Sequence, residues 1–208
     1  MQGTVSALRL QARDHRRVNV FLDGAFAFGL AKVLAARLRV GQVLTGDEIA
    51  GLQRLEQEEA SFRQAVGLIA RRPRSAQELR KALTRREIAP EVQEAVLRRL
   101  GEQGLLDDQA FAAAWVDNRR AFRPRSRVAL RAEMRRKGID RSTIDAALAE
   151  WDETAAAMEA GRRAARRWQA LPEREFLQKL MGSLNRRGFD YETSSTVAHR
   201  LWQETTLT

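Results

Sequence analysis

The chain has 208 residues, of which 44% are hydrophobic and 31% are charged, so it has enough apolar residues for a packed core and is not a wholly disordered chain. It contains no cysteine, which excludes disulfides and thiolate metal sites and is typical of a reducing compartment such as the cytoplasm. Its 37 Lys and Arg outnumber its 27 Asp and Glu, and the net charge of +10 favours an anionic partner such as nucleic acid or an acidic protein surface.

Residues 1–58 predict a small β-hairpin followed by helices. Two β-prone runs flank Asp23-Gly24, a dipeptide that is a strong hairpin signal. Two strands alone are marginally stable, so we expect this hairpin to pack on a helix. The pattern predicts strands within residues 4–28, a helix over 30–38, a short extended piece over 41–45, and a helix over 47–59 capped by Thr45 or Asp47.

One phrase occurs twice in the rest of the chain. Arg72-Pro73-Arg74-Ser75 and Arg123-Pro124-Arg125-Ser126 start 51 residues apart. Each phrase predicts a break between two helices, because Pro cannot continue a helix and Ser is a good N-cap. Apolar residues follow both copies at the same offset, which makes this an internal repeat: Leu79 and Leu130, Leu83 and Met134, Ile88 and Ile139, Leu100 and Trp151.

A third, weaker copy follows the first two. Leu180, Leu184 and Gly188 match the spacing of Leu130, Met134 and Gly138, while Pro172 stands near the expected break without its arginines, and Trp202 matches Trp151 with one extra residue between. The predicted fold is mainly α, with tandem three-helix repeats in an elongated curved array behind the N-terminal extension. A compact bundle of six to nine helices is the alternative. The predicted repeats span residues 59–106, 107–153 and 154–208.

Gly138 and Gly188 also predict how a helix ends in the second and third repeats. A basic last turn, a Gly in the left-handed conformation and an apolar residue after it are typical of a helix C-cap. Glu87 stands at this position in the first repeat, where we expect a different cap geometry.

Charge alternates in phase with the repeat. Residues 71–86 and 119–137 are strongly basic, whereas residues 87–118 and 138–161 are acidic. Equivalent positions align in a repeat array, so we expect the basic segments to form a continuous ridge that contacts a long anionic partner. The alternative is an ordinary solvated face with internal salt bridges. The predicted contacts are Arg72, Arg74, Arg80, Lys81, Arg123, Arg125, Arg127, Arg131 and Lys137.

No catalytic, metal or cofactor site is predicted. The sequence has no phosphate-binding loop of the G-x-x-x-x-G-K-[ST] type, and neither His15 nor His199 has a second ligand at metal spacing. Asp107-Asp108 is better explained as a helix cap than as a catalytic pair. The residues Trp115, Trp151 and Trp202 are predicted to pack in cores rather than to stack on bases. No stretch is apolar enough for a secretory signal or a membrane span, so we expect a cytoplasmic protein.

An ordered set of motifs resembles the RecX family, most densely over residues 70–150. It comprises Arg72-Pro73-Arg74-Ser75, then Gly104-Leu105-Leu106-Asp107-Asp108 with Phe111 and Trp115, then Pro124-Arg125-Ser126-Arg127, and Lys137-Gly138-Ile139. The sequence departs from the family pattern at Glu87 and at Ser126, where Gly is common. The N-terminal hairpin resembles an extension that some members carry.

The resemblance implies a regulator rather than an enzyme. RecX proteins are tandem three-helix repeat proteins that bind RecA nucleoprotein filaments, lodge in the helical groove, and lower ATP hydrolysis, strand exchange and co-protease activity; several also bind DNA. It implies a role in DNA repair and SOS regulation, with a monomeric chain and single- or double-stranded DNA as a secondary partner. The rival hypothesis is a helix-turn-helix repressor, although a recurring basic helix with few Asn or Gln residues provides poorly for base readout.

Overall fold

The computed structural model describes residues 2–206, without the side chain of Thr206, and confirms a mainly helical fold with a small N-terminal strand region. The last two residues of the predicted third repeat lie outside the described residues. The chain divides into two compact units, Met1–Leu106 and Asp107–Thr208.

The first unit begins with a four-stranded antiparallel sheet in the order β3-β2-β1-β4. The strands are β1 (Gly3–Leu10), β2 (Arg17–Leu22), β3 (Ala25–Ala31) and β4 (Val43–Leu44). The predicted hairpin is confirmed, since Asp23 and Gly24 both adopt positive φ angles, 47° and 85°, between β2 and β3. These angles are typical of the turn that matches the twist of a two-residue hairpin.

One helix lies between β3 and β4, and a second follows β4. The helix predicted over residues 30–38 is much shorter, α1 (Lys32–Ala35), because Leu30 and Ala31 continue β3 and are buried in the sheet. Helix α2 (Gly46–Ile69) starts at a capping box formed by Thr45 and Glu48. It runs without a break through the boundary proposed after residue 58, so the sheet and the first repeat share one helix.

The remaining helices form three repeats. The first combines the end of α2 with α3 (Ala76–Thr84) and α4 (Pro90–Glu102). The second contains α5 (Asp108–Phe122), α6 (Arg127–Arg136) and α7 (Arg141–Ala147). The third contains α8 (Glu153–Ala165), α9 (Glu173–Asn185) and α10 (Tyr191–Thr206). The serine of each repeated Arg-Pro-Arg-Ser motif caps the helix that follows. Ser75 accepts a hydrogen bond from the amide of Glu78, and Ser126 accepts one from the amide of Ala129.

The apolar positions that recur in phase are core positions. Six of them are 0% exposed: Leu79, Leu83, Leu130, Met134, Leu180 and Leu184. The first repeat has its own core, whereas the second and third repeats share one continuous core in the second unit. Trp151 is buried there, and Trp202 packs against Phe176 with ring centroids 5.2 Å apart. The prediction that the tryptophans pack rather than project is therefore confirmed.

The expectation of a different cap at Glu87 is wrong. Glu87, Gly138 and Gly188 have φ angles of 59°, 79° and 91°, all in the left-handed region. In each case the amide of the next residue bonds to the carbonyl five residues earlier, with N–O distances of 3.3, 3.1 and 3.3 Å. This is the Schellman pattern, and it forms in the first repeat even though Glu carries a Cβ. The apolar residue that follows, packed under the cap, enforces the same turn in all three repeats.

Replacing this exposed Glu87 with Gly should stabilise the first unit. A non-Gly residue in the left-handed region costs about 1–2 kcal/mol, and Gly removes this cost. Part of that gain is offset by the greater freedom of Gly in the unfolded chain. We expect Glu87→Gly to raise the free energy of local unfolding by about 0.5–1 kcal/mol, measured by hydrogen exchange of the α3 and α4 amides. The matched control is Glu91→Gly in the first turn of α4, which should lower it by a similar amount. Equal effects of the two substitutions would contradict a left-handed cap at residue 87.

Candidate partner-binding surface

A buried carboxylate, Glu133 on α6, organises the second basic segment. Its side chain is 10% exposed and accepts hydrogen bonds from the indole nitrogen of Trp115 at 2.9 Å and from Nε of Arg119 at 2.8 Å. Its other oxygen pairs with Nε of Arg125 at 3.0 Å. A buried carboxylate is stable only when cations and donors compensate it, so these two guanidinium groups are held by an internal charge.

Three other predicted contacts of the second unit are also bonded within it. Arg127 donates to the carbonyl of Trp151 at 2.7 Å, and Arg131 donates to Asp145 at 2.7 Å. The ammonium of Lys137 lies over the Trp115 ring, 5.0 Å from its centroid. These side chains bind neighbouring helices of the same unit and stabilise its packing.

The first unit shows the same use of arginine. Arg72 forms two bonds to the Glu78 carboxylate at 2.9 and 3.1 Å, and Arg80 forms two to Glu94 at 2.9 and 3.2 Å. Arg74 donates to the carbonyl of Leu68 at 3.1 Å, near the end of α2. The bonds from Arg80 lower the pKa of the Glu94 carboxyl, and the bonds to Glu78 raise the pKa of the Arg72 guanidinium.

Two of the nine predicted residues remain exposed and outside the ion pairs seen in residues 2–206. These are Lys81 on α3 and Arg123 at the end of α5. Six others form ion pairs or hydrogen bonds within their own unit, and Lys137 makes a cation–π contact within its unit. The side chains available to a partner are therefore fewer than the charge pattern indicates, and the continuous ridge stays a prediction.

The structure brings a different set of arginines together in the second unit. A cleft of about 310 Å³ lies where α5 ends, α6 begins, and the C-terminus of α9 meets α8. We call it the arginine cleft, and it is lined by five guanidinium groups together with Phe122, Pro124 and Ala160: Arg123, Arg125, Arg163, Arg186 and Arg187.

Several hydrogen bonds fix the walls of the arginine cleft. Arg163 donates to the carbonyls of Ala121 and Phe122, each at 2.9 Å, and so holds the end of α5. Arg187 donates to the carbonyl and hydroxyl of Ser183, at 2.9 and 2.6 Å. Its own carbonyl accepts from the amide of Ser126 at 3.1 Å, which joins the cap of α9 to the start of α6.

The charges of the arginine cleft repel one another. Burial lowers the pKa of the Arg187 guanidinium, and the positive charges of Arg125, Arg186 and Arg167 lower it further. Arginine stays protonated despite such shifts, so the cleft keeps its positive charge. Arg123 and Arg186 are exposed, and neither has an ion-pair partner within residues 2–206. An anion bound between them would relieve this repulsion.

Sequence reasoning missed three of these arginines, Arg163, Arg186 and Arg187. No arginine flanks Pro172 in the third repeat, so the repeated motif did not indicate that this repeat contributes arginines to the cleft. The available signal was Arg186-Arg187 directly before Gly188, which the repeat places at the helix cap. The prediction that Asp107 is a cap is confirmed, because its carboxylate accepts from the amides of Gln109 and Ala110.

Within residues 2–206 there is no group of three or more His, Cys, Asp or Glu side chains placed to hold a metal ion. In the same part of the chain, no helix combines the length and apolar character needed to cross a membrane.

These features define a tandem three-helix repeat protein with an arginine-rich surface and a small N-terminal sheet. Four models of one family match the chain: "Regulatory protein RecX N-terminal domain" over residues 3–45, and the first, second and third three-helix domains of RecX over residues 62–100, 107–148 and 152–197. The chain belongs to the RecX family.

Individual relatives agree with this assignment. A regulatory protein RecX of Thermobifida fusca is 44% identical over 140 residues, which cover 66% of this chain and 74% of the relative. Another, of Bacillus subtilis, is 29% identical over 205 residues, covering 96% of this chain and 78% of the relative. Among solved structures, a crystal structure of regulatory protein RecX superposes with a TM-score of 0.76 at 26% identity, covering 94% of this chain and 98% of that one. RecX from Lactobacillus salivarius shares the fold at 18% identity, with a TM-score of 0.61 over 74% of this chain and 99% of that one.

Removing the buried carboxylate should destabilise the second unit. Glu133→Ala leaves the guanidinium groups of Arg119 and Arg125 without their shared anion, and we expect a loss of about 3 kcal/mol in the free energy of unfolding. All four tryptophans lie in this unit, so the urea midpoint of tryptophan fluorescence measures it.

The matched control removes an exposed ion pair of the same unit. Glu159 pairs with Arg163 at 2.7 Å and its side chain is 44% exposed, so Glu159→Ala should cost less than about 1 kcal/mol. A Glu133→Ala midpoint within error of that control would show that Glu133 does not organise the basic segment.

Proposed function

We propose that this protein is a negative regulator of the RecA recombinase. It binds the RecA–DNA filament and lowers its ATP hydrolysis, strand exchange and co-protease activity, and thereby acts in DNA repair and in control of the SOS response. Membership of the RecX family supports a regulatory role. The observation that carries the proposal is the arginine cleft, where exposed Arg123 and Arg186 face solvent without an internal carboxylate.

The internal bonds prepare the exposed arginines for a partner. Because Arg163 fixes the carbonyls that precede Arg123, and the cap of α9 is bonded to Ser126, little conformational freedom is lost when an anion binds. Pre-organisation of this kind strengthens binding by reducing its entropic cost. Guanidinium groups form paired bonds to phosphates and carboxylates, and a RecA filament on DNA presents both in a repeating array.

The role is one of binding, without a chemical step. A protein that attaches along a filament restrains protomer exchange and ATP turnover through occupancy alone. Long-range attraction between the +10 chain and an anionic filament also speeds encounter, and added salt weakens it.

The internal bonds of the arginines decide which substitutions can test this proposal. Arg125 and Arg127 are unsuitable, because a carboxylate at residue 125 would lie against Glu133 and residue 127 bonds to the carbonyl of Trp151. Reversing the exposed pair avoids both effects. We expect Arg123→Glu with Arg186→Glu to raise the concentration for half-inhibition of RecA ATPase on single-stranded DNA by about tenfold or more.

The control carries the same change of charge on other exposed residues. Arg37→Glu with Arg174→Glu, at exposed residues outside the ion pairs seen in residues 2–206, should inhibit like the parent chain, while both double variants keep the parent helical signal in circular dichroism. Inhibition by the parent should also weaken as salt is raised. No inhibition by the parent chain, together with tight binding to one duplex sequence, would refute the proposal in favour of a helix-turn-helix repressor.

A further inference from the structure

An exposed aromatic ring stands at the edge of the arginine cleft. Phe122 is the last residue of α5, lines the cleft, and is 69% exposed. A single exposed apolar side chain is ordinary, but an exposed ring beside several guanidinium groups is the combination with which proteins bind single-stranded nucleic acids. We propose that the arginine cleft is a subsite for single-stranded DNA, in which Arg123 and Arg186 bind a backbone phosphate and Phe122 stacks on a base.

The charge of the cleft supports a phosphate ligand. Its described lining contains five guanidinium groups and no carboxylate. Two acids bond to arginines of this set: Glu133 compensates Arg125 and Arg119, and Glu159 pairs with Arg163. A phosphodiester placed between Arg123 and Arg186 therefore meets donors that no internal anion satisfies, and it offers several acceptor oxygens to their forked donors.

The position of Phe122 supports a base as the second group. The backbone at this residue is fixed, since its carbonyl and that of Ala121 accept from Arg163. The ring itself remains largely uncovered, so a planar group can lie on it without moving the helix. Phenylalanine has no polar atom to read a base edge, and stacking on it is tolerant of sequence.

These two contacts favour single strands over duplexes. The bases of a duplex are stacked on one another and cannot reach a side chain outside the helix, whereas those of a single strand can turn outward. A duplex would therefore use only the arginines. The inference rests on the proposed function, because single-stranded DNA inside a RecA filament is the ligand that this function supplies, and it assigns the exposed arginines to DNA rather than to protein carboxylates.

The ring is tested by fluorescence anisotropy with a labelled oligothymidylate of about 20 nucleotides and with a duplex of equal length. Phe122→Ala should weaken binding of the single strand about tenfold and leave duplex binding within about twofold. Tyr191→Ala is the matched control, because Tyr191 is also exposed, at 71%, and begins α10 away from the cleft lining. It should bind both DNAs like the parent chain.

The arginines are tested by the salt dependence of the same binding. Each phosphate contact on a single strand contributes about 0.7 to the slope of log affinity against log salt. Arg123→Ala with Arg186→Ala should therefore reduce the magnitude of the slope by about 0.7, because both side chains contact the same phosphate. Unchanged melting curves for all variants would exclude loss of fold as the cause.

Failure of this inference differs from failure of the proposed function. Unaltered single-strand binding by Phe122→Ala, or an equal loss on single strands and duplexes, overturns the stacking subsite. Loss of RecA inhibition by the arginine variant with unchanged DNA binding overturns it too, since the arginines then contact protein, while the regulatory function stands. Conversely, the expected DNA results with no effect of the parent chain on RecA would sustain the subsite and refute the regulator.

Discussion

The need to neutralise one buried carboxylate shapes the second unit of this protein. Glu133 lies almost inaccessible between α5 and α6, and it is stable there because Arg119, Arg125 and Trp115 donate to it. The ion pairs join the end of one helix, the Pro-Arg break and the body of the next. The break is thereby rigid, and the neighbouring Arg123 is presented from a fixed backbone. An interaction that stabilises the fold thus also decides which arginines remain for a partner.

The three repeats are held to a common form by their cores and caps rather than by their charges. Leu79, Leu130 and Leu180 occupy the same fully buried position, and the left-handed cap recurs even where the residue is Glu87. Charged side chains vary around this frame. In the first repeat Arg72 and Arg80 bind acids of their own repeat, whereas in the second unit arginines from two repeats converge on one cleft.

Much of the fold could be predicted from the sequence, because it depends on periodic burial and local turn chemistry. The in-phase leucines, the Asp23-Gly24 hairpin and the serine caps are local or repeating signals, and each predicted its element. Helix α1 was overestimated because pairing of Leu30 in β3 outweighs local helix propensity. The site was predicted only in part. Whether an arginine is free depends on a carboxylate distant in sequence, such as Glu94 for Arg80 or Asp145 for Arg131, and charge patterning does not contain those distances.

Some arginines of this protein hold the fold and others are available to a partner, and this division can be measured directly. Side-chain NMR of the 15N-labelled chain resolves the guanidinium Nε–H groups and their exchange with water. In the free protein, we expect slow exchange for Arg119 and Arg125 and fast exchange for Arg123 and Arg186. On addition of single-stranded DNA, we expect exchange to slow at Arg123 and Arg186 while Arg119 and Arg125 stay unchanged. Slow exchange at Arg123 and Arg186 before any partner is added, or a response to DNA confined to Arg119 and Arg125, would contradict this division.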